Sequence, residues 1–117
     1  MPWHRAAKPS GWFPHRGEVC LFSLDKERPA LVISNDALNR FSLDVSVVPI
    51  SKAEHRQFSL RPKLHAGQAG LLYDSWAKCD QVTSLAIAAT IFPPLGSLDP
   101  ESLKRIEDAI RIALVLP

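Results

Sequence analysis

Two apolar runs dominate the middle of the chain, Ala30-Leu31-Val32-Ile33 and Val45-Ser46-Val47-Val48-Pro49-Ile50. Both are rich in β-branched residues and bounded by polar breaks, the pattern of strands. Between them Ser34 or Asn35 can cap a single helical turn over residues 35–40. The second run is apolar at successive positions, which predicts burial on both faces and a strand over residues 45–51. Upstream, residues 17–24 read as a first strand, with Val19, Leu21 and Leu24 among its apolar positions, and Asp25-Lys26-Glu27 as the turn after it. Downstream, residues 52–57 read as a loop and 58–61 as a short fourth strand. Residues 62–70 read as a second loop, in which Gly67 and Gly70 are available for positive φ. Residues 71–73 and 75–82 are strand-like. Residues 86–92 are a further strand candidate, ended by Pro93-Pro94-Leu95-Gly96.

The last segment changes period. Asp99-Pro100-Glu101 supplies an N-cap acceptor, a proline at the first helical position and an acid at the positive end of the dipole. Leu103, Ile106, Ile110, Ala113 and Leu114 then fall on one face, so a packing helix is expected. Several short strands and one terminal helix predict a mainly β fold with a C-terminal α-helix, a small SH3-like barrel. Residues 1–15 read as an irregular arm broken by Pro2, Pro9, Gly11 and Pro14, and 16–117 as one barrel domain. Trp3, Trp12 and Phe13 are expected to pack on the domain surface or on a partner.

A chain of 117 residues has room for one modest core. No stretch approaches the roughly 20 apolar residues of a membrane span, and no apolar region follows the basic N-terminus as in a secretory leader. Cys20 and Cys79 lie inside apolar runs, which predicts buried thiols in a reducing compartment. No cysteine–histidine spacing fits a zinc site. The net charge of +2 says little by itself. Lys52, Arg56, Arg61 and Lys63 against Glu54 form a local basic stretch, which suits either a polyanion or plain solvation.

The order of motifs is more specific than any one of them. Arg16-Gly17-Glu18 is followed by Arg28-Pro29-Ala30-Leu31-Val32-Ile33, then Asn39-Arg40, the valine-rich strand ending Pro49-Ile50-Ser51, Asp74-Ser75, and Cys79-Asp80-Gln81-Val82. In this set the sequence resembles the MazF/PemK toxin family over roughly residues 16–116. The resemblance implies a CcdB/PemK-type barrel and a cytoplasmic, homodimeric endoribonuclease inhibited by a cognate antitoxin. The substrate it implies is single-stranded RNA such as mRNA, cut without metal or cofactor to a 2′,3′-cyclic phosphate and a 5′-hydroxyl.

Cleavage beside the 2′-hydroxyl needs a proton acceptor, charge stabilisation at the phosphate and a proton donor for the leaving oxygen. Arg28 matches the family's essential arginine and can clamp a phosphate with its fork; a surface ion pair with Asp25 or Glu27 is the bland alternative. Ser51 matches the family's catalytic threonine or serine, or else caps a strand end. Lys78-Cys79-Asp80-Gln81 aligns with the Arg-Cys-Asp-Gln of the PemK/Kid branch. Asp80 then stands at the proposed base and Lys78 at the proposed acid, with an ordinary salt bridge as the alternative. Strand alternation would put both on one face. The same branch implies RNA contacts at Lys52, Arg56, Phe58, Asp74 and Trp76, where Phe58 or Trp76 can stack a base. His55 and His65 offer a further acid–base pair near neutrality.

Three features depart from the family. The loop after the first strand has about three residues, Lys78 replaces a planar fork, and Thr83 stands where a cation is usual. They leave open a degenerate barrel that only binds RNA or an antitoxin. A CcdB-like gyrase poison is a third reading, set against the chain end Ala113-Leu114-Val115-Leu116-Pro117, which lacks that family's Trp-Gly-Ile.

Overall fold

The β-branched runs do form strands. In the computed structural model, which describes residues 6–52 and 60–117, β1 (Glu18–Ser23) and β2 (Glu27–Val32) make a hairpin in register from Val19–Leu31 to Ser23–Glu27. Only Leu24, Asp25 and Lys26 connect them. Helix α1 (Asp36–Phe41) is capped by Asn35, whose side chain accepts from the Leu38 N–H at 2.8 Å. Then β3 (Asp44–Ser51) pairs antiparallel with β2, Ala30 opposite Pro49 and Val32 opposite Val47. The remaining elements are β4 (Lys63–Leu64), β5 (Ser75–Ala77), β6 (Thr83–Ala86), β7 (Thr90–Ser97) and helix α2 (Pro100–Leu114), with single 3-10 turns at Gln68–Gly70 and Ile87–Ala89. The strands order as β4-β5-β3-β2-β1-β7, and β6 joins β3 on the edge that β5 also uses. The result is one curled sheet, half a barrel, with a helix on one face, as the strand count predicts.

Two apolar clusters lie on opposite faces of this sheet. Val19, Leu31, Val48, Ile50, Leu64, Ala77 and Cys79 pack with Ile106 and Ala109 of α2. Cys20, Phe22, Ala30, Val32, Val45 and Val47 pack with Leu85, Ile87 and Ala89. Successive residues Val47 and Val48 belong to different clusters, so β3 is buried on both faces. Asp99 caps α2 through the Ser102 N–H at 2.9 Å. The buried helix positions are Ser102, Ile106 and Ala109, with Leu103 and Ile110 beside them; Leu114, expected on the packing face, is 45% exposed. Both cysteines are free and buried. In the arm, Trp12 meets Phe92 edge to face at 5.2 Å and Pro14 is buried, whereas Trp3 lies outside the described residues.

Four strand expectations are corrected. Residues 58 and 59 lie outside the described residues, but Leu60 and Arg61 sit in a turn and a bend, and the short strand is Lys63–Leu64. Proline 62 accepts from Ala77 N–H at 3.0 Å but has no N–H to return, so the ladder starts after it. The stretch 75–82 is not one strand, and residues 71–73 form none. After β5 the register against β3 shifts: Lys78 N–H still reaches Pro49 carbonyl at 2.9 Å, yet Thr83 already faces Val47. Cys79, Asp80, Gln81 and Val82 bulge out of the ladder between them. Last, residues 86–92 are not one strand ended by the proline pair: Ala86 closes β6, a 3-10 turn takes Ile87–Ala89, and β7 starts at Thr90 and runs through both prolines. The register between β1 and β7 jumps between Val19–Gly96 and Leu21–Ile91, so both prolines fall where no ladder N–H is needed.

Candidate active site

The face of a residue follows from strand alternation and the two clusters. Leu31, Val48, Ile50, Ala77 and Leu64 point toward α2. Their neighbours point the other way, and these include Arg28, Ser51, Trp76 and Lys63. Ser51 is paired with Trp76, and Trp76 with Lys63. Carrying the β2–β3 register two residues past Ala30–Pro49 sets Arg28 opposite Ser51. One row thus crosses four strands as Arg28, Ser51, Trp76 and Lys63. Lys78 lies on the same face, opposite Pro49, one row nearer the barrel interior.

Arg28 is half exposed and donates from Nε and Nη2 to both carboxylate oxygens of Asp25, each at 3.1 Å. The fork holds the Asp25 carboxyl down at about 2. Of the two bland partners foreseen for Arg28, Asp25 is the one engaged. The short turn after β1 therefore delivers a carboxylate to the guanidinium, in the geometry that a phosphate would take. Ser51 ends β3, half-buried.

Lys78 and Asp80 do not share a regular strand face, because the bulge begins between them. Cys79 turns into the core, and burial pushes its thiol up to about 12, so it offers no thiolate. Asp80 sits at the tip of the bulge and takes the Arg61 fork at 3.0 and 2.9 Å. That fork, with Lys78 acting through space, lowers the Asp80 carboxyl below the ordinary range. Arg61 in turn is raised by the same pair, and its side chain is only 13% exposed. The Asp80 carboxylate is thus placed by the β4 side of the site, not by β5.

Of the expected RNA contacts, Lys52 lies over the Tyr73 ring at 4.8 Å and Asp74 accepts the Ala66 N–H at 2.8 Å and Lys63 Nζ at 3.4 Å. Trp76 is half-buried, with Lys63 Nζ 5.7 Å from its ring centre. Arg56, Phe58 and His55 lie outside the described residues. His65 is exposed in the loop before the first 3-10 turn. Arg61 and Lys63 were read only as members of the basic stretch, open to a polyanion or to plain solvation, and Tyr73 had no assigned role in the sequence.

Other motif residues hold the frame. Arg16 bonds the Ile33 carbonyl and Glu107 of α2, and its N–H reaches Asp36 at 2.7 Å. Asn39, fully buried, donates to the carbonyls of Pro14 and Ser34 at 3.1 and 3.0 Å and accepts from the Ser34 hydroxyl. Among the described residues no helix is long and apolar enough to cross a membrane.

Residues 15–114 match the family described as PemK-like, MazF-like toxin of type II toxin-antitoxin system. Endoribonuclease MazF9 of Mycobacterium tuberculosis (strain ATCC 25618 / H37Rv) is 27% identical over 114 residues, 86% of this chain and 96% of the relative. Among solved structures, a mycobacterial endoribonuclease in complex with its cognate antitoxin is similar at 27% identity and a TM-score of 0.77, over 89% of this chain and 97% of that one. The MazE–MazF (Form-II) structure from Deinococcus radiodurans has a TM-score of 0.78 at 18% identity, over 91% and 99% of the two chains, a likeness of fold.

Proposed function

The chain belongs to the PemK-like, MazF-like toxin family, and on that premise we propose how it acts as an endoribonuclease: it cuts single-stranded RNA by attack of the substrate's own 2′-hydroxyl, leaving a 2′,3′-cyclic phosphate and a 5′-hydroxyl. The observation that carries the mechanism is the shared face. Arg28 of β2, Ser51 of β3 and Lys78 just after β5 lie on the side of the sheet away from α2.

In this reading the scissile phosphate displaces Asp25 and takes the two parallel N–H bonds of Arg28. The guanidinium then meets the negative charge that grows on the phosphoryl oxygens. Ser51 hydrogen-bonds the phosphate or the 2′-hydroxyl. Asp80 takes the 2′ proton. Its two oxygens offer about four lone-pair sites, of which the Arg61 fork uses two, and its lowered pKa keeps it ionised through neutral pH. Lys78 stabilises the leaving 5′-oxygen and can protonate it. No metal is needed in this scheme because the nucleophile is part of the substrate. Lys52, Trp76, Asp74, Arg56 and Phe58 are the proposed RNA contacts. The working form is a cytoplasmic homodimer of the barrel domain, residues 16–117, which a cognate antitoxin neutralises.

The test is incubation of purified protein with a long mixed-sequence RNA, in EDTA and in magnesium, with the new ends analysed by mass spectrometry. Cyclic-phosphate and 5′-hydroxyl ends in EDTA are expected. Cleavage only with magnesium, or 5′-phosphate ends, refutes the mechanism. Binding without cleavage assigns the chain to the RNA-holding barrel instead.

A further inference from the structure

The row on the exposed face does not stop at the proposed catalytic groups. It continues from Ser51 through Trp76 to Lys63 on the β4 edge, each step a recorded strand pair. Strands lie about 4.8 Å apart, so the row from Arg28 to Lys63 covers about 14 Å, measured across the strands. A phosphodiester chain crossing the sheet at right angles to the strands would meet, in order, a cation, a hydroxyl, an aromatic ring and a second cation. Two backbone phosphates can meet the two cations and a ribose hydroxyl the alcohol, while a base hanging from its sugar lies on the ring. Lys63 keeps its ammonium on this face, between the Trp76 ring at 5.7 Å and Asp74 at 3.4 Å, and remains 43% exposed. Arg61, in the bend two residues earlier, is committed to Asp80.

We propose that Lys63 forms a second phosphate subsite, a few nucleotides along the single strand from the scissile phosphate, with Trp76 stacking a base between the two. This rests on the ribonuclease reading and adds to it the path of the substrate: across β2, β3, β5 and β4 in turn, not along a strand. Phosphate replaces Asp74 at the Lys63 ammonium as it replaces Asp25 at Arg28. The β4 edge therefore sets the length of RNA the protein grips.

The probe is a fluorescent 2′-O-methyl oligonucleotide spanning a site the protein cleaves, which lacks the attacking hydroxyl and stays intact. Binding is titrated over a range of salt for the wild type, Lys63→Met and Lys104→Met. Lys104 is an exposed cation on α2, and its loss changes net charge equally. One single-strand phosphate contact contributes about 0.7 to the slope of log affinity against log salt. Lys63→Met is expected to lose about that much slope, and Lys104→Met none. A second series replaces one phosphate at a time by a neutral methylphosphonate. One position away from the scissile phosphate should weaken the wild type and leave Lys63→Met unaffected. An unchanged slope in Lys63→Met, or the same sensitive positions in both proteins, overturns the subsite while leaving the cleavage mechanism standing. A wild type that neither binds nor cleaves RNA overturns both.

Discussion

Removing the Arg28 fork tests the centre of the mechanism. Its two N–H groups lie at 3.1 Å from the two oxygens of Asp25, parallel and on one side of the guanidinium. A phosphate presents two oxygens at similar spacing, so the same rotamer serves it without rearrangement. That preorganisation is what Arg28→Ala removes and what Arg28→Lys only partly keeps, since an ammonium is a point donor. Loss of one such donor at a developing oxyanion costs about 10²–10³-fold in kcat. Arg28→Ala should fall at least that far, with Arg28→Lys closer to alanine than to wild type. Asp25→Asn should act in the opposite sense. It removes the charge that competes for the fork and should tighten RNA binding. The assay is single-turnover cleavage of an end-labelled RNA, with folding checked by circular dichroism, because Arg28 is exposed and contributes nothing to either core. An Arg28→Ala protein within about threefold of wild type would show that the fork is a surface ion pair and nothing more.

Further outcomes follow from the packing and the titrating groups. Gly70 has φ +75° and a Cβ there would lie 2.0 Å from the Leu95 carbonyl oxygen, whereas Gly67, at φ +95°, faces open space. Gly70→Ala should cost about 3 kcal/mol or more, and Gly67→Ala only the left-handed strain of about 1–2 kcal/mol, read from urea midpoints. Burial pushes Cys20 and Cys79 up to about 12, so neither should react with a thiol reagent at pH 8 until the protein unfolds; rapid labelling of the native protein would contradict the buried placement. Asp25, Asp74, Asp80 and Asp99 are all held below the ordinary value of 3.8. Folded carboxyls with lowered pKa contribute stability that is present above the unfolded value and lost as pH falls through the folded one. Tm should therefore be flat with respect to these groups at neutral pH and decline below about pH 4. Asp99→Ala, which removes the cap of α2, should lower Tm by roughly 4–8 °C at neutral pH and flatten that decline.

What the sequence made legible was what local chemistry decides. β1 to β3 are short apolar runs bounded by polar residues along the chain, and Asp99-Pro100 announces α2 before any packing exists. Asn35 was readable as a cap for the same reason. The elements that escaped were decided across strands. Thr90 to Ser97 holds two prolines, and only the register jump against β1 makes room for them. Residues 75–82 look continuous, and only pairing with β3 reveals that the last four of them leave the ladder. The candidate site divides likewise. Arg28, Ser51 and Asp80 stood out through motif order. Arg61 and Lys63 stood out only as part of a basic stretch, since nothing local says that β4 lies beside β5. Arg16 and Asn39 show the converse. Their place in the motif suggests chemistry, but their bonds run to Ile33, Glu107, Pro14 and Ser34, and they anchor the hairpin, α1 and α2 to one another.

Three cations on the exposed face each hold a carboxylate, and the pairs differ in how readily RNA can break them. Arg28 and Asp25 are 49% and 72% exposed and lie three residues apart, Asp25 in the turn after β1 and Arg28 in β2. Lys63 and Asp74 are 43% and 50% exposed and meet at 3.4 Å by a single point of contact. Water screens both pairs, so exchange of carboxylate for phosphate sacrifices little. Arg61 and Asp80 are different, at 13% and 33% exposed and joined by two bonds across 19 residues of chain. Separating them would break two charge-assisted bonds at once, which costs more than opening a single-contact surface pair. The same pairing chemistry therefore serves two purposes. At Arg28 and Lys63 it keeps a fork and an ammonium extended until a phosphate arrives. At Asp80 it fixes a carboxylate that must not move when the substrate binds, as a group that takes a proton from a bound hydroxyl requires.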